Sequence, residues 1–112
     1  MPTFGETITQ ARRRAGLSQK DVAAQILKED GSPISPQYLN DLEHDRRNPP
    51  AEPLLAQFAE RLDVPLDYLC FVAGQLPQDL RESSAQPERV AVAFRAFRRT
   101  LRGDEQGTGG VP

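Results

Sequence analysis

The 112-residue chain has a single cysteine, Cys70, and a single histidine, His44. One cysteine cannot close an internal disulfide, and one histidine without a cysteine pair offers no metal constellation, so redox and zinc chemistry lack their residues. No metal and no cofactor are expected. The chain also lacks any apolar run near the roughly 20 residues that span a bilayer, and Met1 to Glu6 carry no charged stretch followed by an apolar one. A soluble protein located in the cytoplasm is the expectation. No Ser/His/Asp set, paired-carboxylate pocket or Gly-rich phosphate loop is legible, so an enzyme is not expected. Excess positive charge is missing too, with a net charge of −2 and a pI near 5.4. Through residue 76, eight basic residues face eleven acidic ones; across 77–102, six face three; the tail holds two acids and no base. Attraction of a polyanion through overall basicity is therefore excluded.

What is present is a series of short helical patterns. A chain of this length supports one domain, and 38% hydrophobic residues can close a small core if the elements are compact helices. Phe4, Ile8, Ala11 and Ala15 recur at helical spacing, Thr3 can cap the start, and Gly16 can end the turn left-handed. The spacing predicts a first helix over about residues 4–15. Ser18 and Asp21 form a cap for a second helix that runs through Val22, Ala23 and Ile26 to about Leu27. Lys28-Glu29-Asp30-Gly31-Ser32-Pro33 reads as a solvated loop. Ser35 before Pro36 starts a third helix, because proline at the first helical position loses no hydrogen bond; Leu39 and Leu42 are its inner residues, and Asn48-Pro49-Pro50 stops it.

Leu54, Leu55, Phe58, Ala59 and Leu62 make the stripe of a fourth helix ended at Asp63, and Leu66, Leu69, Cys70 and Val72 a fifth ended at Gly74. Helices this short are unstable alone, so they must share one core. The expected fold is all-α: a compact five-helix domain over residues 3–74, a connector over 75–86, an amphipathic C-terminal helix over 87–102 and a disordered tail over 103–112. In the C-terminal helix Val90, Phe94, Phe97 and Leu101 form one face and Arg95, Arg98, Arg99 and Arg102 another. That apolar face either folds back on the domain, self-associates, or binds another protein.

Function lies in residues 18–49. Two capped helices in tandem, the second opening with side chains that can hydrogen-bond base edges and closing in a basic turn, suggest a helix-turn-helix that reads DNA. Its DNA-facing patch must be local, built from positions such as Lys20, Lys28, Arg46 and Arg47, and its non-specific affinity weak, since that term scales with the phosphates neutralised. Arg12-Arg13-Arg14 is no such patch: consecutive helical residues point about 100° apart.

From Phe4 to Leu69 the chain resembles the lambda repressor and Cro type of helix-turn-helix domain, also called the xenobiotic-response-element family. The stretches that carry the resemblance are Arg12 to Gln19, Ile34 to Leu39, Leu42-Glu43, Arg47-Asn48-Pro49 and Leu62 to Leu69. It implies that Gln19 bonds a DNA phosphate, and that the third helix enters the major groove with Ser35, Pro36, Gln37, Tyr38 and Asp41 facing bases or flanking phosphates. Gln37 is the candidate for reading adenine, and Arg46, Arg47 and Asn48 hold the backbone. Arg12 and Glu43 would form a mostly buried ion pair. The chain departs from the family in its longer loop at 27–33, in Pro36 and Asp41 where donors or neutral groups are usual, and in Asp45 where glycine is usual. The resemblance implies a transcriptional regulator, a repressor binding double-stranded DNA as a homodimer. A protein-interaction module, an antitoxin or coactivator-like adaptor on the same fold, is the alternative.

Overall fold

Local capping chemistry sets the starts of the first three helices. The structure, a computed structural model, describes residues 1–103; the expected tail lies outside the described residues apart from Gly103. In α1 (Phe4–Arg14) the Thr3 hydroxyl accepts from the Glu6 amide at 3.1 Å and the Glu6 carboxylate accepts from the Thr3 amide at 2.9 Å. Ser18 and Asp21 repeat this reciprocal pair at the start of α2 (Gln19–Gln25), and Ser35 caps α3 (Pro36–Glu43) through the Tyr38 amide. Then follow α4 (Glu52–Leu62), α5 (Leu66–Val72), a single turn α6 (Gln78–Arg81) and α7 (Pro87–Arg102). Gly16, Asp63, Gly74 and Gly103 supply the left-handed residues at four helix ends.

Two elements differ from the sequence expectation. The second helix stops at Gln25, two residues early, because Ile26 turns extended and its carbonyl accepts from the Ile34 amide at 2.9 Å. The loop at 27–33 is a miniature hairpin, with a bridge between Leu27 and Pro33. The Lys28 amide bonds the Ser32 carbonyl at 2.7 Å, and the Asp30 carboxylate accepts from both the amide and the hydroxyl of Ser32. Gln57 of α4 clamps its base, accepting from the Leu27 amide at 2.7 Å and donating to the Leu27 carbonyl at 2.8 Å. Among the described residues no further strand pairing occurs. The second difference is α6 inside the expected connector, tied to α4 by the Gln78 amide donating to Glu52.

Residues 1–81 form one unit and the segment from Glu82 a second. In the first, Ile8, Ile26, Leu39, Leu42, Leu55 and Phe58 are wholly buried, with Leu69 and Cys70 closing the core. Close approach of α1 to α3 depends on Gly5, where a Cβ would lie 2.5 Å from the Glu43 carbonyl oxygen and 2.6 Å from that of Leu42. In the second unit α7 buries none of its residues, and Val90, Phe94, Phe97 and Leu101 are all exposed.

Candidate nucleic-acid interface

Glu43, on the inner side of α3, is the centre of a polar network that ties this helix to α1 and α2. This carboxylate is buried, its side chain only 3% exposed, and Arg12 of α1 meets it with two bonds, Nε to Oε2 at 2.6 Å and Nη2 to Oε1 at 2.9 Å. A third guanidinium bond, Nη1 to the Leu17 carbonyl at 3.0 Å, ties in the turn before α2. Burial pushes the Glu43 carboxyl up, but hydrogen bonds from Arg12 and Gln19 with the Arg12 charge more than offset it, so it lies below its ordinary value of 4.5. The same bond to Glu43 raises the Arg12 guanidinium. Among the described residues no buried side-chain nitrogen or oxygen lacks a partner, as a buried pair requires.

Gln19, half-buried at the first position of α2, donates its Nε2 to Glu43 Oε1 at 2.9 Å and to Asn40 Oδ1 at 3.1 Å. Both partners are acceptors, so the amide orientation is set and its hydrogens point inward between α2 and α3. A phosphate also accepts and would have to compete for those hydrogens; the side chain in this state braces the two helices. Asn40 was not singled out from the sequence, although it lies one helical step from Glu43 and so on the same inner face.

At the far end of α3, the imidazole Nδ1 of His44 lies 2.8 Å from the Asn40 carbonyl, a contact that needs the hydrogen on Nδ1. Asp45 adopts the left-handed conformation with φ 57°, tolerable for Asp at modest cost. Its carboxylate accepts from the Thr3 hydroxyl at 2.6 Å and the Gly5 amide at 2.9 Å, joining the exit of α3 to the entry of α1. A glycine could adopt the turn but not make this tie.

The outer side of α3 carries the residues the sequence suggested. Ser35, Pro36 and Gln37 are exposed, Tyr38 and Asp41 are half-buried, and Arg46, Arg47 and Asn48 are exposed in the turn beyond. Gln37 Nε2 donates to Asp41 Oδ1 at 3.0 Å, and Arg46 Nη1 lies 3.5 Å from the same oxygen. The Arg47 guanidinium sits over the Tyr38 ring, 5.1 Å from its centroid. These contacts gather Gln37, Asp41 and Arg46 into one polar cluster and Tyr38 with Arg47 into a second. Lys20 and Lys28 are exposed as well. The described residues hold no cluster of metal-ligating groups and no helix long and apolar enough to cross a membrane.

A family model described as Helix-turn-helix matches residues 8–69, from within α1 to within α5. Among solved structures, the chain is similar to one in a complex of a SinR protein with a SinI protein, with a TM-score of 0.51 and 18% identity, the match covering 88% of this chain and 99% of that one. At that identity the likeness is one of fold. No curated protein sequence matches.

Proposed function

The chain belongs to the helix-turn-helix family, in its lambda repressor and Cro type a family of DNA-binding transcription regulators and not of enzymes, and from that premise we propose that it is a sequence-specific repressor acting in the cytoplasm. The observation that carries this is the exposed ridge of Ser35, Pro36 and Gln37 leading into the exposed Arg46-Arg47-Asn48 turn, mounted on a helix whose inner side is held by the Arg12–Glu43 pair. In this reading residues 3–74 are the DNA-binding domain, α3 enters the major groove, Gln37 reads a base, and Ser35, Pro36, Tyr38 and Asp41 lie along the groove. Arg46, Arg47 and Asn48 contact phosphates and set register, and Gln19 reaches a phosphate only by giving up an inward bond. One small domain buries limited DNA surface, so two copies on half-sites about 34 Å apart would supply usable affinity. Occupancy of an operator that overlaps a promoter then blocks transcription.

A second reading, a protein partner held through α7, is favoured by the exposed Val90, Phe94 and Leu101 on that helix and by a structural neighbour that is itself a two-protein complex. Selection of bound sites from random duplex DNA tests the first reading. It predicts a twofold-symmetric consensus whose binding weakens with Arg47→Ala and loses base preference with Gln37→Ala. Binding indifferent to both substitutions would leave the protein-interaction module, and an asymmetric consensus would count against the homodimer.

A further inference from the structure

We propose that Asp41 is a positioning residue for base recognition, holding the Gln37 amide in the orientation that selects adenine over guanine. The inference rests on α3 being the helix that enters the groove. A glutamine amide can present oxygen or nitrogen to either side by turning over, and an exposed one such as Gln37 has no intrinsic preference between the two. The Asp41 carboxylate offers only acceptors. With Asp41 Oδ1 at 3.0 Å, Nε2 must face it. The pair is four residues apart on one helix face, where such side chains meet.

Holding one amide hydrogen changes what Gln37 offers a base. It retains one hydrogen and the Oε1 acceptor, which match the N7 acceptor and N6 donor of adenine. Guanine presents two acceptors, N7 and O6, in the same place. An unheld amide can turn both hydrogens toward that pair; a held one sets Oε1 against a guanine acceptor. Arg46, 3.5 Å from the same carboxylate oxygen, offsets the negative charge that would otherwise face the phosphates. Asp41 is only 23% exposed, so its carboxylate is confined beside Gln37 while Arg46, 59% exposed, remains able to reach outward.

The test uses the full chain and the consensus duplex from random-site selection, together with duplexes in which each adenine is replaced by guanine. The position whose preference vanishes with Gln37→Ala is the one that Gln37 reads. There the wild type is expected to prefer adenine by about 5- to 150-fold, the range of one good bidentate pair. Asp41→Asn and Asp41→Ala remove the same charge, so both should strengthen binding to every duplex alike. Only the asparagine keeps an acceptor, so Asp41→Asn should hold the adenine preference to within about twofold while Asp41→Ala lowers it by about fivefold or more. In a Gln37→Ala background, Asp41→Ala should cost no further discrimination. Equal preference in the Asn and Ala variants overturns the positioning role while leaving the DNA-binding reading intact. A wild type that binds all duplexes equally and ignores Gln37→Ala removes both.

Discussion

Replacing Arg12 with methionine keeps the stem packed and deletes the charge, removing the guanidinium's two bonds to Glu43 together with its bond to the Leu17 carbonyl. The carboxylate it leaves behind is 3% exposed, and Arg12 itself is only 12% exposed, so solvent screens little of the loss. Breaking a fully buried pair by removing one partner costs roughly 3–5 kcal/mol. Gln19 still donates to Glu43 at 2.9 Å, which places the expected cost at the lower end, about 3 kcal/mol. For a domain of this size that is a fall in Tm of about 12–24 °C, out of a total stability of about 5–15 kcal/mol. The loss should also depend on pH in a particular direction. In the wild type Glu43 titrates below its ordinary value of 4.5, so its contribution is full above that value and fades as pH falls through the lowered one. Without Arg12, burial dominates and raises the carboxyl, so the variant is relieved by protonation at a pH where the wild type is not. The gap between the two proteins should therefore be widest near neutrality and close in acid. Urea unfolding followed by far-UV circular dichroism, at about pH 7 and about pH 3, measures both values. Arg12→Met/Glu43→Leu should recover most of the loss, since a packed apolar pair replaces the ions. A deficit under about 1 kcal/mol at neutral pH, as for an exposed pair, or one unchanged in acid, would refute the account.

Gly5→Ala sets two effects against each other. Alanine favours a helix over glycine by about 1 kcal/mol, but its Cβ would lie 2.5 Å from a backbone oxygen of α3; overpacking of about 1–3 kcal/mol should win and the variant should unfold at lower urea. Gln57→Ala removes both bonds to Leu27 and should accelerate hydrogen exchange at the Leu27 and Ile34 amides while leaving exchange in α3 unchanged; equal exchange before and after would mean that the hairpin holds itself. Lowering the salt should strengthen binding of wild type more than of Arg47→Ala, the slope of log affinity against log salt falling by about 1 for one lost phosphate contact, and an unchanged slope would place Arg47 away from the backbone.

Much of the helix-turn-helix was legible in the chain itself. Ser18 with Asp21, Ser35 with Pro36, and the spacing of Leu39 and Leu42 act within one or two turns, so the starts of α2 and α3 followed from short-range chemistry. Gly16, Asp63 and Gly74 marked ends for the same reason. Ile26 misled because its spacing suits α2 equally well; the partner that draws it extended, Ile34, lies beyond the turn, and the Gln57 clamp arrives from another helix. The one-turn α6 has too little periodicity to show in a pattern.

The residue types of the candidate interface could be named from the chain, but not the company each side chain keeps. Whether Gln19 reaches outward or braces α3 is decided by Asn40 and Glu43, more than twenty residues away in sequence. Asp45 gained its purpose only when Thr3 and Gly5 came within hydrogen-bond reach. The amino-acid order alone determined which segments coil and which faces are apolar, because caps and helical spacing are properties of neighbours. Tertiary structure decided which polar groups are spent on one another and which remain for a ligand, because a hydrogen bond needs both partners within about 3 Å, and only packing of the helices puts them there.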